Sequence, residues 1–186
     1  MIRSCFTRSI LVALLLATVP IGAQAELRTA WSDGFVLLYT RRIEAPAAKI
    51  YAALPAVDRW WSGGHTWSGD AANLSLKAEA GGCFCEKWKD GEVEHGRVIM
   101  VMRDQTLRLQ TALGPLQARA VTGVLTFQLK PDEASGGKAT LLTLSYIVNG
   151  ASASALDKSA GSVDNMLSEQ FERLVRYLET GKAAAQ

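Results

Sequence analysis

The residues from Asp157 to Glu179 constrain this chain more than any other stretch. Val163, Met166, Leu167, Phe171, Leu174, Val175 and Leu178 recur at three- and four-residue steps, which places them on one stripe of an α-helix. Asp164, Glu169, Glu172, Arg173, Arg176 and Glu179 are left mainly on the other side. Gly181 follows, where a helix needs a left-handed residue to stop. A helix with one long apolar face needs a large apolar surface to lie against, and the preceding residues read mostly as strands. That surface is therefore expected to be a sheet.

The N-terminus reads differently. Arg3 and Arg8 form a basic start, Ile10 to Val19 is an apolar run, and Ala23-Gln24-Ala25 has the small-x-small form of a cleavage site. The apolar run falls short of the ~20 residues that span a bilayer. Residues 1–25 are thus expected to be an export signal, leaving residues 26–186 as a single domain, periplasmic or secreted, with no membrane span. Without Arg3 and Arg8, the 20 Lys+Arg fall to 18 and equal the 18 Asp+Glu. With no basic stripe, nucleic-acid binding has no electrostatic footing.

Strands are expected at Phe35–Ile43, Leu74–Ala78, Cys83–Trp88, His95–Met102, Thr106–Thr111, Ala120–Leu129 and Ala139–Val148. Pro46 suits a first helical position, so Ala47–Leu54 reads as a short helix, and Val57–Trp61 as a second. Turn residues such as Gly81-Gly82, Asp90-Gly91 and Gly136-Gly137 separate the strands, and the short connections suit antiparallel neighbours. The fold class is α+β: a curved antiparallel sheet of about seven strands wrapped around the C-terminal helix. Leu125, Phe127 and Leu129, like Leu142, Leu144 and Tyr146, alternate with polar residues as one buried face requires.

Ile43-Glu44-Ala45-Pro46, followed by Ile50-Tyr51, resembles the opening signature of the START / birch-pollen-allergen-like (SRPBCC) superfamily. Gly81-Gly82-x-Phe84 is similar to a motif of its heat-shock-ATPase-activator branch, and Leu167, Phe171 and Leu174 resemble the family's closing helix. The resemblance covers roughly residues 35–181. It implies a helix-grip fold with a cavity between sheet and helix, open near the short helices. It does not imply one activity, because the superfamily hosts carriers, receptors, polyketide cyclases and stress proteins.

The best-placed candidates for a site are aromatic. Four of the five tryptophans lie between Trp60 and Trp88. Trp60, Trp61 and Trp67, with His65 among them, either cap the core or gate an apolar ligand. Phe84, Glu86 and Trp88 share strand parity, and Phe127 and Tyr146 join them on the inward face. An inward Glu86 is a functional candidate because a buried carboxylate needs partners; a register break that puts it in water is the favoured placement. Glu86, His65 and Tyr146 are the candidate acids or bases. His95 is expected at the surface, at a strand start.

Cys83 and Cys85 lack further Cys/His ligands nearby, so no metal site is expected. A disulfide across one intervening residue is expected to be too strained, leaving two free thiols. No nucleotide-binding loop or Gly-x-Ser-x-Gly elbow is present, and no cofactor is expected. The leading expectation is an exported protein that holds a hydrophobic or amphipathic small molecule between sheet and helix. The rivals are a polyketide cyclase/dehydratase-like enzyme and a partner-binding module.

Overall fold

A computed structural model describes residues 24–182. The expected leader, residues 1–25, lies outside them except for Gln24 and Ala25. Eight strands form one curved antiparallel sheet: β1 (Gln24–Trp31), β2 (Gly34–Ile43), β3 (Leu74–Leu76), β4 (Cys83–Trp88), β5 (Gly91–Met102), β6 (Thr106–Thr111), β7 (Thr122–Pro131) and β8 (Thr140–Asn149). Their spatial order is β1-β2-β8-β7-β6-β5-β4-β3. Two short helices, α1 (Ala47–Ala53) and α2 (Val57–Trp60), follow β2, and the long helix α3 (Asp157–Thr180) closes the chain. This is the expected helix-grip arrangement with one strand more than the seven read from the sequence. The added strand, β1, begins inside the leader-like stretch and pairs with β2 from Trp31↔Gly34 to Gln24↔Thr40.

Leu167, Phe171, Leu174 and Leu178 are all buried, as their spacing predicts. The Phe171 ring lies 5.6 Å from that of Tyr39 on β2. Tyr39 Oη donates to Asp164 Oδ1 at 2.6 Å, and Arg41 Nη2 donates to both Glu172 oxygens at 2.6 and 2.7 Å. Burial first, and then the Asp164 carboxylate, raise the Tyr39 hydroxyl far above its ordinary value. Gly181 ends α3 at φ 73°, its N–H bonded to Tyr177 O.

Arg173 departs from the expected polar side. It is buried, and its guanidinium donates to the Trp60 carbonyl (2.9 Å) and the Trp61 carbonyl (3.4 Å). Gln170 is buried beside it and accepts from Ser62 N at 2.8 Å. The two side chains satisfy backbone groups left over where α2 ends. In this way α3 holds the segment that leads into the site.

The expectation of free thiols is overturned. Cys83 and Cys85 are joined as a disulfide, with their Cα atoms 5.4 Å apart. Residues i and i+2 of a strand project from the same face, and this separation falls within the span a disulfide bridges.

Candidate functional site

A cleft of about 520 Å³ opens where the loop after α2, the Leu113–Arg119 turn and the first half of α3 meet. Trp61, Leu113, Leu116, Val163 and Met166 provide its apolar walls. Arg119 and Lys158 line it as well, and no aspartate or glutamate among the described residues does. Arg119 is held by Ser159 Oγ and the Ser154 carbonyl, which ties the turn to the start of α3.

An aromatic chain leads from the core to this opening. Trp60 packs edge-on against Phe127 (6.4 Å between centroids), Trp61 against Trp60 (5.6 Å) and Phe84 (5.5 Å), and Phe84 against the His95 ring (5.0 Å). Trp60, Phe84 and Phe127 are therefore core residues that support the site from below. Trp61, His65 and Trp67 line it directly. His65 Nδ1 accepts from Gln170 Nε2 at 2.9 Å; Glu169 Oε2 is farther away, at 3.5 Å.

Tyr146 and Trp88 sit apart from the cleft. Tyr146 is fully buried; its hydroxyl accepts from Leu113 N (3.1 Å) and donates to Thr111 O (3.3 Å). Burial pushes its pKa up to about 12. It braces the Leu113 wall with both hydrogen bonds engaged. Trp88 lies on the β4–β5 hairpin opposite Gly91, its indole so close that a Cβ at Gly91 would come within 2.6 Å of the ring.

Glu86 and His95 correct the sequence expectation most sharply. Neither is at the surface: Glu86 is 0% exposed and His95 6%. Glu86 Oε2 accepts from Trp67 N at 3.0 Å and lies 2.9 Å from His95 Nε2, while Oε1 accepts from Ser68 N at 2.5 Å. Burial alone raises a carboxyl pKa, but the hydrogen bonds from Ser68, Trp67 and His95 outweigh it and hold Glu86 below its usual range. Burial lowers the His95 pKa, and the nearby carboxylate opposes that only in part.

A β-bulge explains why His95 turns inward. Phe84 pairs with Gly96 and Cys85 with Glu94, so β5 carries His95 as an extra residue. His95 and Gly96 are consequently both buried in succession, and strict alternation fails there. A side chain at Gly96 would meet the Gln110 carbonyl at 2.7 Å, so this close approach requires glycine. A histidine followed by glycine within a strand is the one trace of the bulge visible in the sequence.

Among the described residues no three His, Cys, Asp or Glu side chains are grouped as a metal site. No helix among them is long and apolar enough to cross a membrane.

No family model matches the chain, and no curated protein matches it in sequence. Solved structures do. EF2215 of Enterococcus faecalis, a conserved protein of unknown function, aligns at TM-score 0.55 and 17% identity over 87% of this chain and 80% of its own. CalU16 of Micromonospora echinospora aligns at 0.55 and 14%, over 88% of this chain and 86% of its own. DynU16, from the dynemicin biosynthetic locus, aligns at 0.56 and 20%, over 80% of this chain but 48% of its own. What they share is the fold. At such identities the likeness extends to the helix-grip architecture and not to a ligand or reaction.

Proposed function

We propose that this protein binds an amphipathic, negatively charged small molecule in the cleft at the start of α3. The observation that carries this reading is the cleft's composition: apolar walls, two cations and no carboxylate among the lining side chains. Burial of an apolar body at roughly 25 cal/mol per Å² supplies the affinity, and Arg119 and Lys158 orient the anionic group.

The motifs around Pro46 and Phe84 support placement in the START / SRPBCC superfamily. Export to the periplasm or beyond is part of the same reading. It is supported by the leader-like N-terminus and by the Cys83–Cys85 disulfide, which suits an oxidising compartment.

Trp61 and Trp67 line the cleft, so tryptophan fluorescence can report its occupancy. Decanoate is expected to change the emission saturably, with decyltrimethylammonium at least ~10-fold weaker, and Lys158→Glu is expected to remove the difference. Equal response to the two amphiphiles, or none to either, overturns the reading.

A further inference from the structure

The binding reading leaves one buried pair unused. Glu86 and His95 are not needed to hold a passive ligand, yet a bulge in β5 turns His95 toward the cleft. The Glu86 carboxylate takes donors from Trp67 N, Ser68 N and His95 Nε2, so its position is set from three sides. A carboxylate only accepts, so the proton on this contact sits on His95 Nε2. Nδ1 then carries the lone pair. No hydrogen bond to Nδ1 is found among the described residues, although the ring lines the cleft. A carboxylate behind an imidazole whose other nitrogen is free fixes the tautomer and stabilises the imidazolium that forms on proton uptake.

We propose that His95 is a general base acting on an enolisable carbonyl compound that carries an anionic group, with Glu86 as its positioning residue. The inference rests on the binding reading of the cleft and names a class of substrate for it. His95 Nδ1 takes a proton from the carbon next to the carbonyl. The C–H electron pair becomes the enolate double bond, and the carbonyl π pair moves to oxygen. The imidazolium exchanges its N–H proton with solvent and then protonates carbon, which completes exchange, or delivers its proton to oxygen, which gives the enol. Nothing is oxidised or reduced, and no co-reactant is consumed. Arg119 and Lys158 supply positive charge for the anionic group and the developing oxyanion.

Among the described residues, the titratable or charged groups that touch His95 or share the cleft lining with it are Glu86 on β4, His65 in the loop after α2, Arg119 in the Leu113–Arg119 turn and Lys158 on α3. Of these, the structure shows contact with the imidazole only for Glu86. The base must be neutral to work, and burial lowers the His95 pKa below 6.5. The catalysed rate is therefore full at neutral pH and is lost as pH falls through a midpoint below that value.

The test uses phenylpyruvate, which has an apolar ring, a carboxylate and benzylic protons next to a ketone. Loss of those protons in D2O is followed by proton NMR, with tryptophan fluorescence recording binding in the same samples. The wild-type chain is expected to accelerate exchange at least ~10-fold over buffer, His95→Gln to return it to the buffer rate, and Glu86→Gln to slow it and move the pH midpoint. If Glu86→Gln does not fold, the wild-type pH profile and His95→Gln decide the matter. Binding without acceleration overturns the general base and leaves the binding reading intact. Neither binding nor acceleration overturns both. Exchange by His95→Gln at the wild-type rate, or a catalysed rate that shows no fall at any pH below 6.5 at which the chain stays folded, also overturns the proposal.

Discussion

From Leu167 to Leu178, α3 buries Leu167, Phe171, Leu174 and Leu178 against the sheet, whereas from Asp157 to Met166 the same helix turns Ser159, Ser162, Val163 and Met166 toward the cleft. The helical period continues through both halves. What differs is the surface opposite: strands whose side chains fill the space in one case, a loop and a turn that leave room in the other. Side-chain size follows this division. The first half carries Ser159, Ala160, Gly161 and Ser162 in succession; the second carries Phe171, Leu174 and Leu178. One half of the helix holds the fold together and the other borders the site.

The largest expected effect breaks the packed half. Phe171→Ala should cost about 3–5 kcal/mol in a denaturant titration, because the ring is buried against Tyr39. A loss below about 1 kcal/mol would show that the packed half does not carry the fold.

Acid should weaken the cleft side next. His95 has a lowered pKa in the folded chain, so below its ordinary 6.5 the unfolded chain takes up a proton that the native one resists. Stability therefore falls as pH drops from 6.5 toward the folded value. Glu86 is also lowered; its contribution is present above its ordinary 4.5 and is lost as pH falls through its folded pKa. Denaturation midpoints measured against pH should show both losses, and His95→Gln should flatten the part nearer neutrality. An unchanged slope in that variant would mean His95 is not held neutral beside the cleft.

Tyr39→Phe tests the boundary between the halves. Removing the hydroxyl that donates to Asp164 should cost about 1 kcal/mol. Calorimetric melting showing no change would separate the Tyr39–Asp164 contact from the anchoring of α3. Ser162→Leu sharpens the contrast most finely. Ser162 is exposed and lines the cleft, so stability should stay within about 0.5 kcal/mol while decanoate binding weakens at least ~10-fold. A destabilised variant with unchanged binding would reverse the roles assigned to the two halves.

Much of this was legible in residue order. Strands β4 and β6 match their expected limits, and β7 and β8 begin within two residues of theirs. The loop bearing Trp61, His65 and Trp67 does border the cleft. Strand parity also carried Glu86 inward beside Phe84, although the favoured expectation was a register break into water. His95 was misplaced because β5 begins at Gly91 and not at His95, so the histidine lies inside the strand and not at its start, and the bulge that turns it inward is hardly announced by its residue types. Arg173 was misplaced for a different reason. A helical wheel assigns charge to the outside, but it does not register the unpaired carbonyls of Trp60 and Trp61 that draw the guanidinium inward.

The sequence by itself determined most of the elements, though not β1, and most of their faces, because periodicity, turn residues and the Gly181 stop are local properties that depend only on neighbours along the chain. Tertiary structure decided the pairings between residues far apart in sequence. Gln170 and Arg173 clamp the segment after α2, and Tyr146 braces the cleft wall. The Glu86–His95 pair formed because a two-against-one register between β4 and β5 set an imidazole against a carboxylate already held by loop amides. Such contacts depend on the relative placement of whole strands and loops, and a buried polar group is stable only where that placement supplies its partners.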